Sequence, residues 1–347
     1  MRCGDFKRTY AEDMAIFETR FSRGLLAAFL VVLALFPLFA THYWLDILNR
    51  TLIAVIAAMG LNILTGFTGQ ISLGNAAFLA VGAYTTATLS GRMGLPFPVV
   101  IPIAGIVTAL VGMVFGVPSL RLKGLYLAVA TLAAHFVVEF TVVHWEKVTG
   151  GVNGISVPAA KLGPLELDSD RQIFWLALPL AALFLLFARN LFRTKVGKAF
   201  VAIRDQDISA EVMGVNVFRY KLLSFGVSSF YVGVAGALLA YQARIISPEN
   251  FPITVAIDQL GMVIIGGLGT VLGSILGAVF VTLLPELLRI ATGLLSDRYP
   301  ELVGLFAPLK TGLFGVAIVL FLVFEPDGMA ARWRHIRNYW KLYPFSY

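Results

Sequence analysis

The stretch GLNILTGFTGQISLGN, residues 60–75, sets Gly60, Gly66, Gly69 and Gly74 beside Asn62 and Asn75 inside a strongly apolar neighbourhood. Residues of these types turn or kink a chain. Backbone that leaves a helix in hydrocarbon must have its N–H and C=O groups covered by protein or by a water-filled cavity. The stretch therefore reads as a membrane helix broken for a purpose, and Gly66 to Asn75 is expected to line something. Glycine lets backbone groups approach a passing solute, and Gln70, Ser72 and Asn75 add uncharged donors and acceptors.

The rest of the chain supplies the membrane. Hydrophobic residues make up 58% and charged residues 14% of 347 positions, against averages of roughly 45–50% and about 25% in soluble domains. Apolar runs follow one another from Gly24 almost to Phe324, leaving no room for a soluble domain of useful size. Six runs can each span the bilayer, at 24–41, 97–117, 124–143, 173–188, 221–241 and 311–325. Two more regions, 51–91 and 258–288, are too long for one helix and are interrupted by GFTGQISLGN and GGLGTVLG. Each is predicted to form two short helices around a break. The fold class is thus an all-α polytopic membrane helical bundle of about ten crossings, with an N-terminal segment 1–23, a transmembrane domain 24–325 and a basic tail 326–347.

Charge orients this count. Residues 1–23, 118–123, 189–221 and 325–347 fall on one side and carry 18 Lys and Arg against 9 Asp and Glu, whereas the other side has 9 against 11. Positive residues resist translocation, so both termini and the 189–221 loop are expected in the cytoplasm. The net charge of +7 is then explained by topology and by contact with anionic membrane lipids, and nucleic acid is not a predicted partner. Residues 1–23 carry both signs of charge and no convincing small-residue cleavage site, so they read as an uncleaved anchor. A single cysteine, Cys3, and the lack of any Cys/His cluster give no disulfide and no metal site.

Corresponding breaks in two halves of a transporter point to the solute route. Candidate pathway residues are Gly66, Gly69, Gln70, Ser72, Gly74 and Asn75 in the first break and Gly266, Gly267 and Gly269 in the second. Close helix packing is the competing account, most of all for Gly269, Gly273 and Gly277 at four-residue spacing. The spans are otherwise almost free of charge. Away from the span ends only His135 and Glu139 are ionisable, which argues against an ion-coupled secondary transporter, and no nucleophile, base and third group cluster as in a membrane enzyme.

The polar loop Arg189–Lys221 carries the second signal. Asp207 suits an N-cap, Ile208–Met213 can form under two turns of helix, and Gly214 stands where a left-handed C-terminal cap is wanted. So short a helix persists only if it packs on something. An ordinary positive loop with an incidental amphipathic turn is the bland alternative.

GLNILTGFTGQISLGNAAFLAVGAYTTATL, TGGVNGIS at 149–156 and GKAFVAIRDQDISAEVMGVNVFRYKLLSFGVSSFYVGVAGALLA at 197–240 closely resemble the M-type permease subunit of bacterial branched-chain amino-acid ABC importers. The similarity runs from about residue 50 to 325. Related systems carry urea, short amides or aromatic acids on the same scaffold, which leaves the solute open. The resemblance implies a bacterial inner-membrane pore shared with an H-type permease, two cytoplasmic ATP-binding subunits, and a periplasmic solute-binding protein. ATP and Mg would be held by the ATPase partners and no cofactor by this chain, which fits the absence of a phosphate-binding loop: Gly197 and Lys198 are followed by Ala199. The family's coupling helix maps onto the 189–221 loop, making Arg204, Asp205, Asp207, Ala210, Glu211 and Gly214 candidate ATPase contacts.

Overall fold

Helices form where the apolar runs lie, and some of them end at a glycine of positive φ, as at Gly94 and Gly267. The computed structural model describes residues 20–119, 122, 124–162, 165–296, 306–325 and 327–342. Cys3, the first nineteen residues of the N-terminal segment, part of the 118–123 connection and the last five residues lie outside them.

The chain begins with α1 (Arg20–Phe39) and α2 (His42–Asn62), the latter prolonged by a π-helical turn at Ile63–Phe67. After the first break come α3 (Asn75–Met93), α4 (Phe97–Ser119) and α5 (Leu125–His144). A short α6 (Glu146–Thr149) leads into the TGGVNGIS turn, where Gly150, Gly151 and Gly154 all have positive φ. A side chain at Gly154 would collide with the carbonyl of Ile246, which explains the density of glycine there. Strands β1 (Ile155–Ser156), β2 (Ala160–Leu162) and β3 (Leu165–Leu167) follow, then α7 (Asp170–Leu191). Ser169 and Gln172 form a reciprocal capping box at the start of α7.

The polar loop holds α8 (Lys195–Asp205) and α9 (Asp207–Val212). The central α10 (Val217–Ala243) is followed by β4 (Ile245–Ile246), α11 (Ile253–Gly266), α12 (Val271–Ser296), α13 (Phe306–Phe324) and α14 (Gly328–Leu342). β4 pairs antiparallel with β1, Ile155 opposite Ile246, and β2 forms a hairpin with β3, Ala160 opposite Leu167. These small strands cap the end of the bundle remote from α8 and α9.

Two helices form the centre. In the most apolar windows of α2 and α10, 78% and 72% of residues are buried, against 28–39% in the other long apolar helices, which leaves the outer faces of those for lipid or partner. Large apolar residues there, such as Val114, Phe140 and Phe187, are exposed. α10 is gripped by α3, α4 and α2. Small residues make this approach possible: a side chain at Gly236 of α10 would strike the carbonyl of Leu79, and one at Gly82 of α3 would strike Gly233.

Among the described residues six helices are long and apolar enough to cross a membrane, or seven if the bent pair α13–α14 is one span. The helices of this length and apolarity thus number fewer than the expected ten, and other helices are of weaker character. α1 contributes a shorter apolar helix at Ala27–Phe39, α11 has only 14 residues, and α3 carries Thr85, Thr86, Thr88 and Ser90. The first half of the first broken pair is not short, because α2 with its π turn runs unbroken for 26 residues. The basic C-terminal segment contains a helix, α14, that the charge count alone did not announce.

Candidate functional site

The first break starts as a widened turn. Four hydrogen bonds replace the α-helical ladder from Ile63 onward: Thr68 donates its hydroxyl to the Ile63 carbonyl (2.9 Å), Thr65 donates to the Gln70 carbonyl (3.1 Å), the Gln70 N–H reaches Leu64 (3.0 Å), and the Gly74 N–H reaches Ser72 Oγ (3.3 Å). Gly69 sits at φ 72°, a conformation that favours glycine, and is exposed. The segment thus leaves the helix with part of its backbone satisfied by its own threonines and serine, as burial demands.

The second break, Gly266–Thr270, lies directly against it. Asn62, wholly buried, donates Nδ2 to the Thr270 carbonyl and to Ser274 Oγ, both at 2.8 Å, and accepts the Gly269 N–H at 2.9 Å. Gly66 and Gly269 are so close that a side chain on Gly66 would overlap both the Gly269 backbone and Asn62 Oδ1. Gly267 has φ 118° and packs on Asp327 and Ala330, and a Cβ on Gly328 would come within 2.5 Å of the Gly267 Cα. Two sequence-distant interruptions and the start of α14 therefore meet in one glycine junction. Gly273 and Gly277 draw α12 onto α11, so that part of the small-residue stripe packs helices together.

The remaining predicted pathway residues spread from this junction to three other helices. Gln70 donates Nε2 to Ser224 Oγ of α10 (2.7 Å), and the Leu73 N–H reaches Thr131 Oγ1 of α5 (2.9 Å). Gly74 packs on the Thr131 carbonyl, Asn75 is hydrogen-bonded to Gln259 of α11, and Ser72 is buried. One turn along α5 from Thr131, the buried His135 has Nε2 3.7 Å from Glu139, and beyond that carboxylate its ring nitrogens have no hydrogen-bond partner.

The polar loop is a corner of two helices rather than one helix in a loop. Thr194 caps α8 by accepting the Gly197 N–H, and Gly197, Ala199, Phe200 and Ile203 are buried against the bundle. α9 starts at Asp207, with Gln206 and not Asp207 in the capping position. The Asp207 carboxylate instead lies 3.5 Å from Lys221 Nζ. The end of α9 is closed as expected, with Gly214 at φ 84°, its N–H on Glu211 (2.9 Å) and the Val215 N–H on Ala210 (3.0 Å), the paired bonds of a Schellman motif.

Orientation divides the expected ATPase contacts. Asp205, Glu211 and Gly214 are exposed, but Ala210 is buried, because it supplies the inward face that holds α9 on the body. Arg204 also turns back on the bundle: Nη1 donates to the Gly66 carbonyl (3.1 Å), while Nη2 and Nε hold Asp205 (2.9 and 3.0 Å). Beside Glu211, α9 also presents large apolar side chains outward, Ile208 and Val212, with Met213 at its C-cap, exposed by 70, 83 and 86%. Sequence reasoning did not single out Asn62 as the stitch between the breaks, nor Ser224, Thr131 and Gln259 as its extensions. Among the described residues no group of His, Cys, Asp or Glu could hold a metal ion.

Comparison with known proteins fits this architecture. Residues 43–322 match the family described as branched-chain amino acid transport system / permease component. The chain is 33% identical over 328 residues, 88% of its length and 74% of the relative's, to the high-affinity branched-chain amino acid transport system permease protein LivM of Salmonella typhimurium (strain LT2). The LivM of Escherichia coli (strain K12) matches at the same identity and coverage. More distant is the ribose import permease protein RbsC of Haemophilus influenzae, 24% identical over 73% of this chain and 79% of that one. No solved structure matches the chain. Over most of its length, then, including both glycine breaks and the α8–α9 corner, this chain belongs to the family of branched-chain amino-acid transport permeases.

Proposed function

We propose that the chain is the membrane-spanning permease of an ABC importer and forms half of a route for branched-chain amino acids, with an H-type permease as the other half. The observation that carries the proposal is α9. Ile208 and Val212 of this six-residue helix, with Met213 at its C-cap, stand largely exposed, and the helix is held at both ends. So short a helix is unstable alone, and an apolar face held rigidly outward is what a docking partner needs. The partner is a cytoplasmic ATPase subunit, two per complex, which binds ATP and Mg for a chain that has no phosphate-binding loop of its own. A periplasmic solute-binding protein delivers the solute at the opposite end, where β1–β4 and the β2–β3 hairpin lie.

Orientation in the inner membrane follows from charge. The α8–α9 end carries the basic excess and faces the cytoplasm, as do both termini, and α1, α3 and α11 complete ten crossings with the longer helices. In this arrangement Gly69 and Gln70 form the open edge of the route, at its cytoplasmic end and not at its middle. Gly66, Gly266, Gly267 and Gly269 form the hinge behind them, while Ser72, Gly74 and Asn75 continue the wall toward α5 and α11.

Reconstitution tests the proposal. Proteoliposomes containing this chain, its H-type partner and the ATPases should accumulate labelled leucine, isoleucine or valine only with internal ATP and loaded binding protein. ATP-independent uptake, or uptake driven by an ion gradient, would refute it.

A further inference from the structure

Between the first break and the α8–α9 corner lies a cavity of about 300 Å³, within the roughly 300–1,000 Å³ range of small-molecule sites. Its walls are of two kinds. One wall carries two oppositely charged pairs, Arg204 with Asp205 and Lys221 with Asp207, of which the Lys221 side chain is only 11% exposed. The other is aliphatic, from Leu122, Leu127, Ile203 and Ile208. Gln70 reaches the cavity from the break with only 4% of its surface exposed, and its Oε1 has no hydrogen-bond partner although Nε2 is bound to Ser224. A buried amide that leaves one polar atom unsatisfied beside a cavity calls for a ligand group.

Charges of both signs facing an aliphatic wall fit a free aliphatic α-amino acid better than a neutral amide or a simple anion. We propose that this cavity is a second solute site, at the cytoplasmic end of the permease, that binds the released amino acid and slows further import. Asp205, Asp207 and the Gln70 Oε1 receive the ammonium, Lys221 receives the carboxylate, and the side chain lies against Leu122 and Leu127. The inference rests on the solute class proposed above. An occupant would touch Gly69 and Gln70 of the break on one side and the α8–α9 corner on the other. By binding one arrangement of these parts better than the next, it biases the transport cycle.

Two measurements on the complete complex test this. Equilibrium binding of labelled leucine to nanodisc complexes lacking the binding protein should be saturable, and at least tenfold weaker in Lys221→Met and in Leu122→Trp, which fills the cavity from a partly exposed position. Proteoliposomes preloaded with leucine should import it several-fold more slowly than those preloaded with 4-methylpentanoate or isopentylamine, each of which lacks one of the two charges. The slowing should vanish in Leu122→Trp while its initial uptake into empty vesicles persists. Normal leucine import without saturable binding or preloading effect overturns the site and leaves the permease reading intact. Absence of leucine import overturns the solute assignment, and the site then stands or falls on whether leucine binding is present in the parent chain and lost in both variants.

Discussion

Asn62→Ala is the sharpest probe of the glycine junction. The side chain is fully buried and makes three hydrogen bonds to the second break, two donated and one accepted. Alanine removes them unequally. The Thr270 carbonyl keeps the Ser274 N–H at 3.3 Å, and Ser274 Oγ is free to rotate, so each of those losses costs about 0.5–1.5 kcal/mol. The Gly269 N–H precedes the first turn of α12 and loses its side-chain acceptor, at a cost of about 1–3 kcal/mol. Together the change should lower the free energy of opening the 266–274 segment by about 2–6 kcal/mol, which at 1.4 kcal/mol per tenfold means amide exchange there faster by at least roughly thirtyfold. Hydrogen exchange with mass spectrometry on the reconstituted complex reads this directly, and Ser274→Ala should show only a fraction of the effect. Exchange at 266–274 unchanged in correctly inserted Asn62→Ala would show that Asn62 does not hold the two breaks together.

Other expectations follow from the same geometry. Gly214→Val forces a β-branched residue into φ 84°, at about 1–2 kcal/mol; since nothing lies within 4 Å of the new Cβ, the effect is on backbone alone, and binding-protein-stimulated ATPase should fall while assembly survives. Arg204→Gln removes the bond to Gly66, so uptake should drop at least several-fold with ATPase docking retained; equal loss of docking and uptake would make Arg204 an ATPase contact after all. The Lys161 ammonium, hydrogen-bonded to Glu166 at 2.7 Å, holds that carboxyl below the usual carboxylate range. Its stabilising effect on the exposed β2–β3 hairpin is therefore complete above the ordinary value of about 4.3 and lost as pH falls through the lowered one, so hairpin protection corrected for intrinsic exchange should be flat from about pH 5 to 8, and a change within that window counts against the pairing. A C-terminal reporter fusion should be active only as a cytoplasmic enzyme; periplasmic activity would overturn the ten-crossing topology.

Much of the fold was legible because membrane helices announce themselves by length and apolarity, and every one of the six secure runs contains a described helix within a few residues of its expected bounds. Both breaks were legible for the same reason, since glycine clusters in hydrocarbon are too costly to be incidental. What could not be read was which groups the breaks use to satisfy one another. Asn62 is a turn-former by type, yet here it lies in a helix and acts through atoms 208 residues away, which no local pattern encodes. Periodicity also failed at the polar loop. Residues 195–205 read as positive loop because Lys195, Lys198 and Arg204 dominate, although Gly197, Phe200 and Ile203 form a buried face. Asp207 suits a cap by type, yet it stands one position late, in the first turn of α9, with its carboxylate 3.5 Å from Lys221.

The location of Arg204 ties the α8–α9 corner to the first glycine break without any flexible link. α9 is fixed to α8 through a one-residue corner, and the last two residues of α8 are Arg204 and Asp205, the Arg204 guanidinium being shared between Asp205 and the Gly66 carbonyl. An exposed ion pair of this kind contributes only about 0.2–1 kcal/mol to stability. Its value is geometric, because the planar fork fixes direction and allows one residue to grip a carboxylate and a main-chain oxygen at once, which a lysine ammonium cannot do in one plane. Gly66 cannot move alone either. It is packed on Gly269, which is bonded to Asn62, and Gly267 in turn seats Gly328 at the head of α14. A displacement of α9 by a partner would thus be delivered to both breaks together, at the point where the backbone has the fewest side chains to obstruct it. Glycine at these positions keeps the contact free of Cβ atoms, which would overlap the backbone of the facing break.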